Sequence, residues 1–232
     1  MSEKNRYRDL GRYIHRLCRE AGGLACTGNR GLARSVWRER RHARYLPRAC
    51  RQRYYIAIRS DLFWRQEPGL DLSHWTEAEW KKGLALYTAY NLETGVSDIA
   101  DTIAIARTLD GASGQVGVMG FCLGGLMTFL SAAQGSADGA VAYYPGSTEK
   151  HLEQASAISI PLMVHLGEED EFISKDAQRM IKGAFSGNTR TEIHSYPGCS
   201  HAFARHTGVH YDHTAAEIAN ERTWAFFDRE LR

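Results

Sequence analysis

The sequence predicts an α/β fold: a mainly parallel sheet with helices on both faces. Three observations predict it. Short apolar runs alternate with helical patterns from residue 56 onward, and strands that alternate with helices pair in parallel. A tight Gly-rich turn, Gly120-Phe121-Cys122-Leu123-Gly124, joins a strand to a helix. Acidic and histidine-bearing loops follow two later strands.

The elements follow in order. Thr76-Glu77-Ala78-Glu79 has the form of a capping box and opens a helix through Leu84 and Tyr87 to about Leu92. Ser97 is the expected cap of a second helix, with Ile99, Ile103, Ala106 and Leu109 on one face and Gly111 past its end. A strand is expected over Gln115–Met119, then the Gly-rich turn, then a small-residue helix over Gly124–Ala133. Ala140–Tyr144 and Pro161–Leu166 read as buried strands. Lys175–Phe185 reads as helix, and Arg190–Tyr196 alternates as a fourth strand. Ala215–Leu231 closes the chain as a helix carrying Ile218, Trp224 and Phe227. No internal repeat or low-complexity tract interrupts this order.

Residues 1–60 differ in kind. They carry 16 Lys+Arg and 4 Asp+Glu, a net of +12, whereas residues 61–232 carry 13 and 23, a net of −10. Over residues 11–55 arginines fall on every face of any element one draws, with no apolar run. Two regions are therefore expected: an atypical, irregular basic segment over 1–55, and an α/β domain over 56–232. The overall charge of +2 and 43% hydrophobic content exclude a wholly disordered chain. No apolar run approaches the ~18 residues of a membrane span, and MSEKNRYRDL lacks the apolar core of a secretory signal. Together with five cysteines read as thiols, this suggests a cytoplasmic protein with no membrane partner.

The chemistry concentrates at the turn. A nucleophile on a strained strand-to-helix elbow points out above the sheet, and glycines around it remove clashing side chains. The helix N-terminus behind it favours the negative charge of a thiolate and of an oxyanion. Cys122 is that nucleophile; a small buried thiol beside a packing turn is the plainer alternative. Gly167-Glu168-Glu169-Asp170 and Pro197-Gly198-Cys199-Ser200-His201 each follow a strand. Both loops thus open at the sheet edge where the elbow lies and where ligands bind in open α/β sheets. The order nucleophile, acid, histidine is that of α/β-hydrolases.

DLFWR at 61–65, GFCLGG at 120–125, YYP at 143–145, GEED at 167–170 and GCSHAFAR at 198–205 resemble the dienelactone hydrolase family (carboxymethylenebutenolidases) from about Asp61 onward. The resemblance implies an α/β-hydrolase fold and cleavage of an ester or enol-lactone through a covalent acyl-cysteine. It implies Cys122 as nucleophile, His201 as base and Asp170 as its orienter, with the Leu123 N–H in the oxyanion hole. It places Arg205 near a substrate carboxylate, so the expected partner is a small anionic lactone or ester. An aromatic wall of Phe121, Tyr143 and Trp64 is expected beside it, against core packing as the alternative. No metal or organic cofactor is implied.

The family's Q-E-x-F-G motif, whose Glu meets the nucleophile, has no match in residues 1–60. Codons can be chosen for Val36–Tyr54 so that a one-base shift reads FGVNAVMRDICRELADNG, and Ala33-Arg34-Ser35 then allow QEA, completing QEAFG. Farther upstream, REAGGLACTG allows AKPAGLPAP. Residues 11–55 are therefore expected to be out of frame. Two other readings compete. One is an inactive or binding-only protein whose basic arm meets nucleic acid or an acidic surface, although the tract lacks interleaved aromatics; no nucleic-acid partner is therefore expected. A transit peptide would share that arginine excess. The other is a metal site from His201, His206, His210 and His213, which Gly208 disfavours by breaking a shared helix.

Overall fold

The computed structural model describes residues 58, 60–70, 72, 76–109, 112–206 and 208–232. The basic segment over 1–55, the shifted-frame expectation within it and the Gly111 cap lie outside the described residues.

Helix α1 spans Glu77–Thr88, and its capping box forms: Thr76 Oγ1 accepts from the Glu79 N–H at 3.2 Å and donates to Glu79 Oε2 at 2.7 Å. Helix α2 spans Leu92–Arg107 and is capped by Asn91, whose Oδ1 accepts from Thr94 N–H at 2.8 Å. Ser97 is therefore inside the helix and not its cap. The physical reason is the apolar period: Leu92 and Val96 stand on the face of Ile99 and Ile103 and pack against the same core, so the helix starts a turn and a half earlier.

The sheet comprises β1 (Gly117–Phe121), β2 (Gly139–Tyr143), β3 (Leu162–Gly167) and β4 (Thr191–Tyr196). All neighbouring pairs are parallel, in the order β1-β2-β3-β4. β1 begins two residues later than the sequence suggests. Val116 N–H is held by Asp138 Oδ2 at 2.7 Å, and that carboxylate also pairs with Arg107 Nη1 at 2.5 Å. A side chain thus takes the donor that a ladder bond would have used.

Helix α3 (Leu123–Gln134) crosses β1 and β2, with α4 (Lys175–Ala184) beside two short 3₁₀ turns over Thr148–Lys150 and Leu152–Ala157. Helix α5 (His213–Glu230) covers the opposite face. Glycines show the two faces. A Cβ on Gly117 would meet Phe227 of α5 at 2.6 Å, whereas one on Gly120 would meet Gly124 of α3. Phe226 and Phe227 enter the core, whereas Ile218, expected on the apolar stripe of α5, is 40% exposed.

β2 and β3 are buried along their whole length, as strands covered on both sides should be. This covered centre fixes where the strand ends present the loops that follow.

Candidate active site

β1 ends at Phe121 and α3 starts at Leu123, which leaves one residue, Cys122, to make the reversal. It does so at φ 55° and ψ −116°, a conformation disfavoured for any residue with a Cβ. Neighbouring backbone holds it there: Cys122 N–H donates to Tyr143 O at 3.1 Å, and Cys122 O accepts from Leu126 N–H at 3.0 Å. Gly120 and Gly125 permit the reversal. Added Cβ atoms would lie 2.1 Å from Gly124 O and 2.6 Å from Tyr143 O, respectively. Gly124 faces open space, so the clash-relieving glycine on the helical side is Gly125. Cys122 stays exposed, and the Leu123 N–H is the first donor of α3, where no intrahelical acceptor exists.

The loops after β3 and β4 cross at Gly167. A Cβ there would lie 2.5 Å from Cys199 O, and Glu169 N–H donates to that same oxygen at 2.9 Å. This close crossing brings Asp170 to His201, with His201 Nδ1 and Asp170 Oδ2 2.8 Å apart. The other carboxylate oxygen accepts from the Phe172 and Ile173 N–H groups at 2.8 and 3.0 Å. The Asp170 side chain has no exposure and that of His201 has 9%. Burial by itself would lower the imidazole's pKa. The hydrogen bond that Nδ1–H donates to Asp170 and the influence of Cys122 on the ring's other side outweigh it and raise the group to about 9. Nε2 nevertheless has no partner at strict hydrogen-bond geometry, so the approach to sulfur is loose, as such pairs commonly are before substrate binds. Tyr144 and Phe172 hold the imidazole by ring edges, at centroid distances of 5.0 and 4.9 Å.

The structure therefore brings together Cys122, Asp170 and His201. Phe121 adjoins Cys122, half-buried, its ring 4.6 Å from that of Tyr143. Tyr143 is a correction: it is fully buried, and its hydroxyl lies 3.1 Å from Asn220 Oδ1 and 2.6 Å from Thr223 Oγ1 on α5. Strand alternation turns it to the α5 face, and the ring against His201 belongs to Tyr144. Trp64 donates from Nε1 to Asp98 Oδ2 on α2 at 3.0 Å. Arg205 lies in the His201 loop, half-buried, in a turn closed by its N–H to Ala202 O at 2.8 Å. Glu169 pairs outward with Lys175 at 2.7 Å.

Among the described residues no group of three or more His, Cys, Asp or Glu could hold a metal ion. The histidines that follow His201 take separate partners. His206 packs on Tyr211 at 5.1 Å, His213 Nδ1 lies 3.2 Å from the Tyr211 hydroxyl, and His210 turns back to His201. No helix among the described residues is long and apolar enough to cross a membrane.

Residues 44–231 match the dienelactone hydrolase family. The chain belongs to that family. The match starts ahead of Asp61, where the motif resemblance begins, and so reaches into the basic segment. Within the family, carboxymethylenebutenolidase 1 of Cupriavidus pinatubonensis is 36% identical over 70% of this chain and 69% of its own. The carboxymethylenebutenolidase of Pseudomonas putida is 36% identical over 74% and 73%. A Klebsiella pneumoniae crystal structure provisionally described as a dienelactone hydrolase superposes with a TM-score of 0.66, at 26% identity and 81% of both chains. Membership carries the class with it: a hydrolase of ester or lactone bonds, acting on a small molecule. Glu171 and Phe172 are site residues that motif reading missed, because an acidic run and one exposed aromatic carry no signal until the loop is folded.

Proposed function

We propose that this dienelactone hydrolase family member cleaves an anionic ester or enol-lactone through Cys122, His201 and Asp170, with no metal or organic cofactor. The observation that carries the reading is the position of His201. Its Nδ1 is bonded to a fully buried carboxylate, its Nε2 makes no other hydrogen bond, and Cys122 stands exposed at a strained elbow.

The thiol proton passes to His201 Nε2. Cys122 Sγ then attacks the carbonyl carbon, and a C–S bond forms as the carbonyl π pair moves to oxygen. The Leu123 N–H and the positive end of α3 stabilise that oxyanion. Collapse breaks the carbon–oxygen bond of the ester or ring, and the leaving oxygen takes the proton from Nε2. Asp170 and Cys122 raise the ring's pKa, which stabilises the imidazolium that forms when the thiol proton arrives and that supplies this proton. The neutral imidazole then takes a proton from water, whose hydroxyl oxygen attacks the thioester. The second collapse releases the carboxylate and returns the sulfur. Asp170 holds the Nδ1–H throughout, so that Nε2 is the atom that exchanges protons.

Arg205 is the candidate for the substrate carboxylate, because a guanidinium recognises carboxylates bidentately. Arg205→Ala should raise KM for carboxylate-bearing lactones more than for neutral esters. Equal effects on both would leave Arg205 a structural residue.

The test of the nucleophile compares two thiols. Cys122→Ala should abolish hydrolysis of dienelactone and p-nitrophenyl acetate, whereas Cys199→Ala, at a buried position away from the elbow, should retain most of it. Comparable losses would remove Cys122 from its role.

A further inference from the structure

We infer that Glu171, together with His210, is a positioning residue that sets the aim of the His201 imidazole by gripping its backbone from both sides. This inference rests on His201 acting as the base. Glu171 Oε2 accepts from the His201 N–H at 3.1 Å. His210 Nδ1 lies 3.3 Å from the His201 carbonyl oxygen and 3.4 Å from Glu171 Oε1. A carbonyl oxygen only accepts, so Nδ1 of His210 carries a proton towards it, with the Glu171 carboxylate beside that nitrogen. The three groups form a closed ring: the His201 N–H to Glu171, Glu171 to His210, and His210 to the His201 carbonyl.

An ordinary half-exposed Glu–His pair contributes little. This one differs in where it converges. Both backbone polar groups of one residue are held, and the next residue, Ala202, has φ 60°. A residue with a Cβ persists in that region only where its surroundings over-determine it. The lever is short: the imidazole leaves the backbone one residue before the reversal, so a small rotation at Ala202 moves Nε2 relative to Cys122. Asp170 fixes the ring at Nδ1 but cannot by itself fix the peptide from which the ring projects. Asp170 and Glu171 are adjacent, so one loop holds both the side chain and the main chain of His201. Misplacement of a reacting group by about 1 Å can cost on the order of a hundredfold in rate, which sets the scale of the effect.

The experiment is a double-mutant cycle on the full chain with p-nitrophenyl acetate hydrolysis and iodoacetamide alkylation of Cys122 as readouts. Glu171→Ala should lower kcat by roughly ten- to a hundredfold with KM nearly unchanged. Glu171→Gln keeps an acceptor oxygen for the His201 N–H, so it should recover to within roughly threefold of the parent chain. In a His201→Ala background the same Glu171→Ala change should cost nothing further in either readout, because there is no imidazole left to aim. Thermal melting of each variant reports folding separately, and Glu171→Gln tests the idea even if the alanine variant is unstable. A Glu171→Ala loss of equal size with and without His201, or a loss confined to KM, would overturn the positioning role. So would parental kcat in Glu171→Ala while His201→Ala is inactive; that result leaves the base assignment standing. Parental activity in His201→Ala would take down both.

Discussion

Replacing Asp170 by Asn tests the site most sharply, because the surrounding hydrogen bonds dictate which way the amide must face. One carboxylate oxygen accepts two backbone N–H groups, from Phe172 and Ile173. In the Asp170→Asn variant only the amide oxygen can meet those two donors, so the amide nitrogen takes the place of Oδ2, 2.8 Å from His201 Nδ1. An NH₂ group there donates, which obliges Nδ1 to accept and leaves the ring proton on Nε2. That is the wrong tautomer for taking a proton from sulfur or water. The change also removes the charge that opposes burial, so the imidazole drops from its raised value of about 9. A triad forced into the wrong tautomer loses about 10⁴ in kcat, or about 5.5 kcal/mol of barrier. The shape is unchanged, so KM should move little. Steady-state hydrolysis of p-nitrophenyl acetate, with melting curves to confirm folding, measures it. A kcat within about tenfold of the parent chain would refute the reasoning, as would Glu169→Gln proving worse than Asp170→Asn.

Three further outcomes are expected. Gly125→Ala should lower the melting temperature by several degrees or prevent folding, because its Cβ would lie 2.6 Å from backbone at Tyr143. Gly124→Ala meets nothing and should be neutral or slightly stabilising in a helix; equal losses would contradict the elbow geometry. Two histidines should shape stability on either side of about pH 6.5. His201 is raised to about 9, so its contribution is complete below about pH 6.5 and is lost as pH rises towards 9. His165 is lowered by burial first and then by His194 and Arg222, so its contribution is present above about pH 6.5 and is lost on acidification. Melting temperatures across that range should show His165→Gln flattening the acid limb, and an unaltered limb would contradict this. For residues 11–55, a frame-restored chain should melt higher and hydrolyse faster than the chain as written; matching curves and rates would show the segment to be genuine.

What the sequence carried well was period and order. Alternating strands and helices, the capping box at Thr76 and the elbow at Cys122 are local signals, and each lies where its pattern put it. Boundaries were less legible where a competing local group mattered. Ser97 looked like a cap because it precedes Ile99, yet Asn91 opens a longer apolar stripe. Tyr143 and Tyr144 are adjacent in sequence, and only the pleat decides which of them faces α5 and which meets His201. Gly124 and Gly125 are equally glycine, and only the approach of α3 to β2 shows which one is required. Glu171 had no signature at all, because its role depends on a loop that arrives thirty residues later.

The central claim is that catalysis passes through an acyl group on Cys122. Rapid-quench reaction with p-nitrophenyl acetate, followed by peptide mass mapping, tests it directly. The account predicts a burst of p-nitrophenol stoichiometric with protein and an acetyl group on the peptide bearing Cys122, absent in Cys122→Ala. An acetyl group on Cys199 instead, or a Cys122→Ala variant that still shows the burst, would contradict it.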